Sequence, residues 1–140
     1  MGLLVLYEDN HLIAVKKEPG SIVQSDKTGD ETLVEEVKAY IKRKYKKPGD
    51  VFLGIVHRLD RPVGGVIVFA RTSKALTRMN ELFREKKISK TYWAIVEEKP
   101  PREDGQLVNW LKKNQEKNRS RAYDIEVKES KKAELTYRLM

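Results

Sequence analysis

An acid and two titratable neighbours stand together in the string His57-Arg58-Leu59-Asp60, between two apolar segments. The segments, residues 51–56 and 66–70, are short, rich in β-branched residues and bounded by glycine or proline, so we predict that each is a buried strand. A carboxylate at the end of a buried strand is costly to desolvate, so it is normally paired and is often used in chemistry. Asp60 is therefore the first candidate for a catalytic residue.

The residues around Asp60 leave two interpretations open. Gly64 and Gly65 permit a tight turn and the close approach of another backbone or of a ligand, which suits a catalytic acid at the rim of a sheet. The alternative is a surface turn in which the acid is ion-paired. A kinase catalytic loop is excluded, because it reads His-Arg-Asp and needs a glycine-rich phosphate loop before it and Asp-Phe-Gly after it.

Three ordered blocks of the sequence resemble the RluA-type RNA pseudouridine synthases. The block from His57 to Ala70 resembles their His-Arg-Leu-Asp motif, with a small-residue turn and an apolar strand that ends in alanine. Residues 5–20 resemble their opening strand, turn, strand and Lys-Pro-Gly segment, and residues 90–96 resemble their Lys-x-Tyr-x-Ala strand. Two departures are Glu18, where a proline is usual, and Pro62-Val63, where a Thr-Ser type of pair is usual. The resemblance covers about the first hundred residues.

The resemblance implies an isomerase that converts specific uridines of ribosomal or transfer RNA to pseudouridine. The reaction breaks the N1–C1′ bond, turns the uracil and joins C5 to C1′, which requires no redox step, metal or phosphate donor. By resemblance, Asp60 is the nucleophile or base, and the target uridine is first flipped out of its stack. Attack on C1′, attack on C6 and proton removal from C2′ are all open mechanisms.

The same resemblance implies roles for the residues near the acid. Arg58 is expected to fill the vacated stack or to bind a phosphate, and an ion pair is its alternative role. Tyr92 is expected to stack on the uracil, with an ordinary core position as the alternative. His57, Leu59 and Arg61 complete the predicted substrate-binding set.

The charge of the chain favours a polyanionic partner. With 29 basic and 21 acidic residues in 140, the net charge is +8, and a basic chain binds RNA through counterion release. Solubility alone is the alternative explanation. Predicted contacts to the RNA backbone are Lys16, Lys17 and a basic loop, for which a solvated surface hairpin is the alternative. The cations of that loop are Lys112, Lys113, Lys117, Arg119 and Arg121.

The composition of the chain also limits which metals, cofactors and membrane contacts we expect. The chain has no cysteine, which excludes disulfides and thiolate metal sites. His11 and His57 are the only histidines and lack an acidic ligand pattern, so we predict no metal. The reaction that the resemblance implies needs no redox step or phosphate donor, so we also predict no cofactor. No apolar run approaches the roughly 18 residues of a membrane-spanning helix, and the chain opens without a secretory leader. We therefore predict a cytoplasmic protein without membrane contact.

Hydrophobic periodicity predicts an α+β domain with a mixed, largely antiparallel sheet and helices packed on it. Two helices are predicted, from residues 31 to 46 with Asp30 as the cap, and after the cap Thr72. The remaining predicted strands are residues 3–7, 12–16, 91–96, 106–111, 120–127 and 133–139.

The end of the sequence suggests an incomplete domain. Members of the family continue past the equivalent of Met140 with a Gly-Arg-x-His-Gln-Ile-Arg type of motif that brings a cation to the acid. We therefore expect residues 1–140 to be a single catalytic domain that is incomplete at its C-terminus, monomeric if complete and prone to self-association as a fragment. The alternative is a truncated or divergent RNA-binding protein without catalytic activity; the intact Asp60 favours the enzyme.

Overall fold

A computed structural model describes residues 2–25 and 29–140 and divides the chain into two compact units, Met1–Thr91 and Tyr92–Met140. Each unit contains one β-sheet, and every pair of neighbouring strands is antiparallel. Parallel pairing in the described ranges is limited to an isolated bridge between Ile22 and Thr32. The predicted α+β class with largely antiparallel pairing is confirmed, whereas the assignment of residues 1–140 to a single domain stays a prediction.

The first unit is a four-stranded sheet with two helices. Its strands occur in the order β1-β2-β4-β3 across the sheet. No helix in the described part of the chain is long and apolar enough to cross a membrane. In chain order the elements are β1 (Val5–Glu8), β2 (Leu12–Lys17), α1 (Leu33–Lys44), β3 (Gly54–Ile55), β4 (Gly65–Ala70) and α2 (Ser73–Arg84).

The core of this unit lies between β2, β4 and α1. Strands β2 and β4 pair along their whole length, from Leu12 opposite Ala70 to Lys17 opposite Gly65. Alternate residues of each strand face the core, and α1 adds residues at helical spacing to the same cluster. The residues that these three elements contribute to the hydrophobic cluster are Ile13, Val15, Ile67, Phe69, Leu33, Val37 and Ile41. This pairing fixes the end of β2 beside the chain that enters β4.

Both helices begin at threonine caps. Thr72 caps α2 as predicted, and its side chain accepts the backbone N–H of Ala75. The predicted cap Asp30 of α1 is wrong, because Thr32 and Glu35 form a capping box. The Thr32 hydroxyl accepts the Glu35 N–H at 3.2 Å, and the Glu35 carboxylate accepts the Thr32 N–H at 2.8 Å. These two hydrogen bonds satisfy two backbone N–H donors at the start of the helix, whereas a capping box cannot form at Asp30.

Two of the predicted strands before residue 100 differ in the structure. The segment 51–56 forms only the two-residue strand β3, which pairs with the end of β4. The predicted strand 91–96 is wrong, because these residues form no strand. Their side chains are β-prone, but Ile95 is fully exposed and Tyr92 is 61% exposed. Residues that favour strands form a stable β-ladder only where a neighbouring strand is available and one face can be buried.

The second unit is a three-stranded sheet with the order β6-β5-β7, whose strands confirm the three predicted near the end of the chain. None of its residues, from Tyr92 to Met140, is buried. The register gives the sheet one mainly apolar face and one mainly charged face, because residues directly opposite one another share a face. Its strands are β5 (Asp104–Asn114), β6 (Arg119–Tyr123) and β7 (Lys131–Arg138).

Candidate active site

The motif from His57 to Asp60 lies outside the strands and leads into the turn that precedes β4. His57 and Leu59 are partly buried, and Leu59 packs against the core of the first unit. Arg58 and Asp60 are exposed, so burial alternates along the motif. Arg58 and Asp60 are therefore the two solvent-exposed residues of the motif. The expectation of a desolvated Asp60 is wrong for the described chain, since its side chain faces solvent.

A tight turn follows the acid. The Asp60 carbonyl accepts the N–H of Val63 at 3.0 Å. At Gly64 a β-carbon would lie 2.9 Å from Cδ of Pro19, which is closer than side chains approach one another. Gly65 has φ +146°, in the region that favours glycine. The two glycines thus allow the close backbone approach that the sequence predicts.

The buried side chain of Lys17 supports this turn through hydrogen bonds to backbone carbonyls. Its side chain is fully buried, and its ammonium donates to three carbonyls, of Glu18 at 3.2 Å, Arg61 at 3.1 Å and Val63 at 2.7 Å. An ammonium has three N–H donors, so all of them are satisfied, which a buried charge requires. The predicted contact of Lys17 with RNA phosphates is wrong, because the side chain is inside the protein. Lys16, its exposed neighbour, is ion-paired with Glu18 at 2.7 Å.

The charge of Lys17 is coupled to both charged residues of the turn. Burial lowers the pKa of Lys17, and the nearby guanidinium of Arg61 lowers it further. The carboxylate of Asp60 acts in the opposite direction and favours the protonated ammonium. Lys17 is thus a cation within electrostatic reach of the candidate catalytic acid.

His57 connects the motif to β4 and α2. Its Nε2 accepts the backbone N–H of Val68 at 3.0 Å, and its ring stacks on Phe83 with centroids 5.5 Å apart. Burial, and then the charge of Lys90, lower the pKa of His57, so the neutral imidazole that can accept this hydrogen bond is favoured. The imidazole therefore anchors the segment that carries Asp60.

The two arginines of the motif differ in their partners. Arg61 forms an ion pair with Asp30, with a nitrogen–oxygen distance of 2.8 Å, and both side chains are half exposed. Arg58 takes part in none of the ion pairs found within residues 2–25 and 29–140, so its alternative role as an ion-pair partner is not observed there. Arg58 is exposed to solvent.

Tyr92 belongs to the second unit, whereas the residues of the motif from His57 to Arg61 belong to the first. Its side chain is 61% exposed, so the alternative of an ordinary core position is wrong. Its stacking on a uracil stays a prediction.

The arrangement in the first unit offers an exposed carboxylate on a turn that a buried ammonium fixes. Such a carboxylate can act as a nucleophile or as a proton acceptor toward a substrate that comes from solvent. Among the residues that the structure describes, no three His, Cys, Asp or Glu side chains are grouped so that they could hold a metal ion. Asp60, Arg58 and the turn held by Lys17 are the elements of this candidate site.

The family of the chain follows from a comparison with protein-family models. Residues 11–140 match the model described as RNA pseudouridylate synthase. The chain belongs to this family. The match confirms the family that the three sequence blocks indicated, and it extends beyond them through the sheet of the second unit.

Curated relatives carry the name ribosomal large subunit pseudouridine synthase C. The protein of Buchnera aphidicola subsp. Baizongia pistaciae is 37% identical over 93 residues, which are 66% of this chain and 28% of that protein. The protein of Buchnera aphidicola subsp. Acyrthosiphon pisum is 35% identical over 124 residues, which are 89% of this chain and 38% of that protein. The protein of Escherichia coli strain K12 is 34% identical over 66% of this chain and 27% of its own length. The chain thus spans well under half of the length of these relatives.

Solved structures show the same fold. Human RNA pseudouridylate synthase domain containing 4 aligns with a TM-score of 0.77 and 21% identity over 96% of this chain and 52% of its own. Human RNA pseudouridylate synthase domain containing 1 aligns with a TM-score of 0.72 and 17% identity over 96% of this chain and 51% of its own. The fold of the chain is therefore that of pseudouridylate synthase domains.

Proposed function

We propose that the chain carries the catalytic acid of an RNA pseudouridine synthase and that the protein isomerises uridines of ribosomal RNA. The observation that carries the proposal is the exposed carboxylate of Asp60, which lies on a turn that three hydrogen bonds from Lys17 support. Membership of the family supports an isomerase that acts on RNA, and the names of the curated relatives favour ribosomal over transfer RNA.

In this proposal Asp60 acts on a uridine that has left its stack. The carboxylate serves as nucleophile or base while the N1–C1′ bond breaks and the C5–C1′ bond forms. The hydrogen on C5 is released and N1 gains one, so the reaction is an isomerisation without a co-reactant. Exposure of Asp60 suits this role, because the base must be brought to the acid from a folded RNA.

The other predicted site residues differ in exposure and in proposed role. Arg58 is exposed and lies two residues before Asp60, so it is the proposed occupant of the space that the flipped base leaves. Tyr92 is the proposed stacking partner of the uracil. His57 and Leu59 face inward, and we assign them to positioning the motif rather than to contacting RNA. Arg61 positions the turn through Asp30.

The test is Asp60→Asn, which keeps the shape of the side chain and removes its charge. We expect pseudouridine formation, measured as tritium release from ribosomal RNA labelled at C5 of uridine, to fall below a few per cent of the unmodified protein. RNA affinity and the free energy of unfolding should change little, because the side chain is exposed. Asp50→Asn removes another exposed carboxylate and should leave activity unchanged.

The variants are assayed in this chain and in the whole product of its gene. Substantial activity of Asp60→Asn would rule out the assignment of the acid. A whole gene product that binds ribosomal RNA and forms no pseudouridine would instead support the alternative function, an RNA-binding protein without catalysis.

A further inference from the structure

The second unit concentrates positive charge in one hairpin. Residues 110–123, here called the basic hairpin, comprise the end of β5, a turn and β6. They contain five cations and one carboxylate, Glu116, which gives a net charge of +4. A tenth of the sequence therefore holds half of the net charge of +8. A surface charged only for solubility tends to intersperse both signs, so this concentration favours a binding function.

The register of the hairpin places three of these cations on one face. Lys112 lies directly opposite Arg121, and Asn114 lies directly opposite Arg119. Opposite residues share a face, and so do alternate residues of one strand, so all three cations point the same way. Like charges directly opposite one another destabilise a sheet. The arrangement is therefore not explained by the stability of the hairpin.

Most of these cations are not neutralised inside the protein. Within the described ranges the ion pairs of the hairpin include only Lys112, whose Nζ lies 3.4 Å from the exposed carboxylate of Glu129. The guanidinium of Arg121 lies over the ring of Tyr123, 5.3 Å from its centroid, which orients the group without neutralising its charge.

The turn of the hairpin has a defined backbone. The side chain of Asn114 accepts the N–H of Lys117 at 2.9 Å, and Asn118 adopts a positive φ of 46°. Asparagine tolerates this conformation better than most residues. The cationic face borders a concave region of about 690 Å³ beside this turn, which is lined by Lys112, Lys117, Arg119, Arg121 and Tyr123 among others. The cations are thus held around one concavity rather than spread over a flexible loop.

We propose that the basic hairpin binds the phosphate backbone of the RNA substrate through Lys112, Arg119 and Arg121. Arginine and lysine form charge-assisted hydrogen bonds with phosphate oxygens, and such contacts position an RNA without reading its sequence. The proposal rests on the proposed function only in taking RNA as the partner. It adds a contact surface on the second unit that would set how tightly the RNA is held.

The test compares two triple variants that lose the same charge. Lys112→Gln/Arg119→Gln/Arg121→Gln removes the cationic face, and the control, Lys42→Gln/Arg43→Gln/Lys47→Gln, removes three exposed cations near the end of α1. The probe is a labelled single-stranded oligouridine of about 12 nucleotides, a length that such binding sites accommodate. Affinity is measured by fluorescence anisotropy over a series of KCl concentrations.

The expected result is a change of about 2 in the slope of log K against log salt for the hairpin variant, because three phosphate contacts contribute roughly 0.7 each. The control variant should keep the slope of the unmodified chain. A conservative variant, Arg119→Lys/Arg121→Lys, should also keep most of the slope, since it retains both charges.

An unchanged slope in the hairpin variant overturns the proposal, and so does an equal change in both triple variants, which would indicate a response to net charge alone. Tighter hairpin-dependent binding to polyglutamate or to phosphatidylglycerol vesicles than to the oligouridine would overturn RNA as the partner. Thermal unfolding by circular dichroism checks that the variants fold. Binding needs no catalysis, so failure of this test leaves the assay of Asp60→Asn unaffected, and the reverse also holds.

Discussion

Replacing Lys17 by methionine should loosen the turn that carries Asp60. The substitution keeps an unbranched side chain in the core and removes the ammonium that donates to three carbonyls. Two of these carbonyls keep another hydrogen-bond donor. The Arg61 carbonyl also accepts the backbone N–H of Gly20 at 2.7 Å, and the Glu18 carbonyl also accepts the backbone N–H of Ser21 at 3.3 Å. The carbonyl of Val63 keeps no other donor among the described hydrogen bonds.

The cost of the substitution follows from these bonds. One orphaned carbonyl costs about 1–3 kcal/mol, and the loss of two further bonds to a charged group adds to that cost. The methionine no longer has to desolvate an ammonium, which offsets part of the loss. We therefore expect the free energy of unfolding to fall by about 2–4 kcal/mol, within the range for broken buried networks. If the turn moves by about 1 Å, pseudouridine formation should fall by roughly 100-fold.

The assay is urea unfolding followed by circular dichroism at helical wavelengths, because both helices belong to the first unit. Lys16→Met is the matched control. It removes an exposed ion pair with Glu18, which contributes at most about 1 kcal/mol. If Lys17→Met is as stable as Lys16→Met, the three hydrogen bonds do not hold the turn and the reasoning is refuted.

Two further predictions concern the surroundings of the motif. Burial lowers the pKa of His57, so the unfolded chain binds its proton more readily, and the free energy of unfolding should rise with pH up to about 6.5. This contribution to stability is fully present above that pH and is lost as the pH falls through the folded-state pKa of His57. Urea unfolding at a series of pH values should show this pH dependence of stability in the His11→Gln variant and not in the His57→Gln variant. Gly64→Ala should cost about 1–3 kcal/mol, because its β-carbon would lie 2.9 Å from the ring of Pro19. Gly49→Ala has open space and should change stability by less than about 1 kcal/mol, so equal melting temperatures for the two glycine variants would contradict the proposed contact.

Much of the first unit could be predicted because its local patterns and its packing agree. The alternation in β2 and β4, the cap at Thr72 and the glycines after Asp60 each specify a local structure that the core then uses. The capping box at Thr32 was readable from its Thr-x-x-Glu spacing, which is a more specific signal than an acidic residue before a helix.

Burial of Lys17 was harder to predict, because lysine is almost never fully buried. A signal was nonetheless present, since Lys17 lies two and four residues after Val15 and Ile13 and therefore on the core side of β2. In the segment 91–96 the local sequence signal was instead misleading. Its residues favour a strand, but whether they form one depends on a neighbour elsewhere in space, which no local pattern encodes.

The pairing of β2 with β4 has a consequence for how the site comes into being. Leu12 and Ala70 are opposite one another yet 58 positions apart, so the chain must close a long loop before this ladder can form. Non-local closure of this kind slows folding, whereas the hairpin of β5 and β6 needs only neighbouring residues. The last pair of the ladder, Lys17 with Gly65, is also the junction at which the ammonium reaches the turn after Asp60. The hydrogen bond from Lys17 that supports the turn after Asp60 therefore forms only after this long loop has closed.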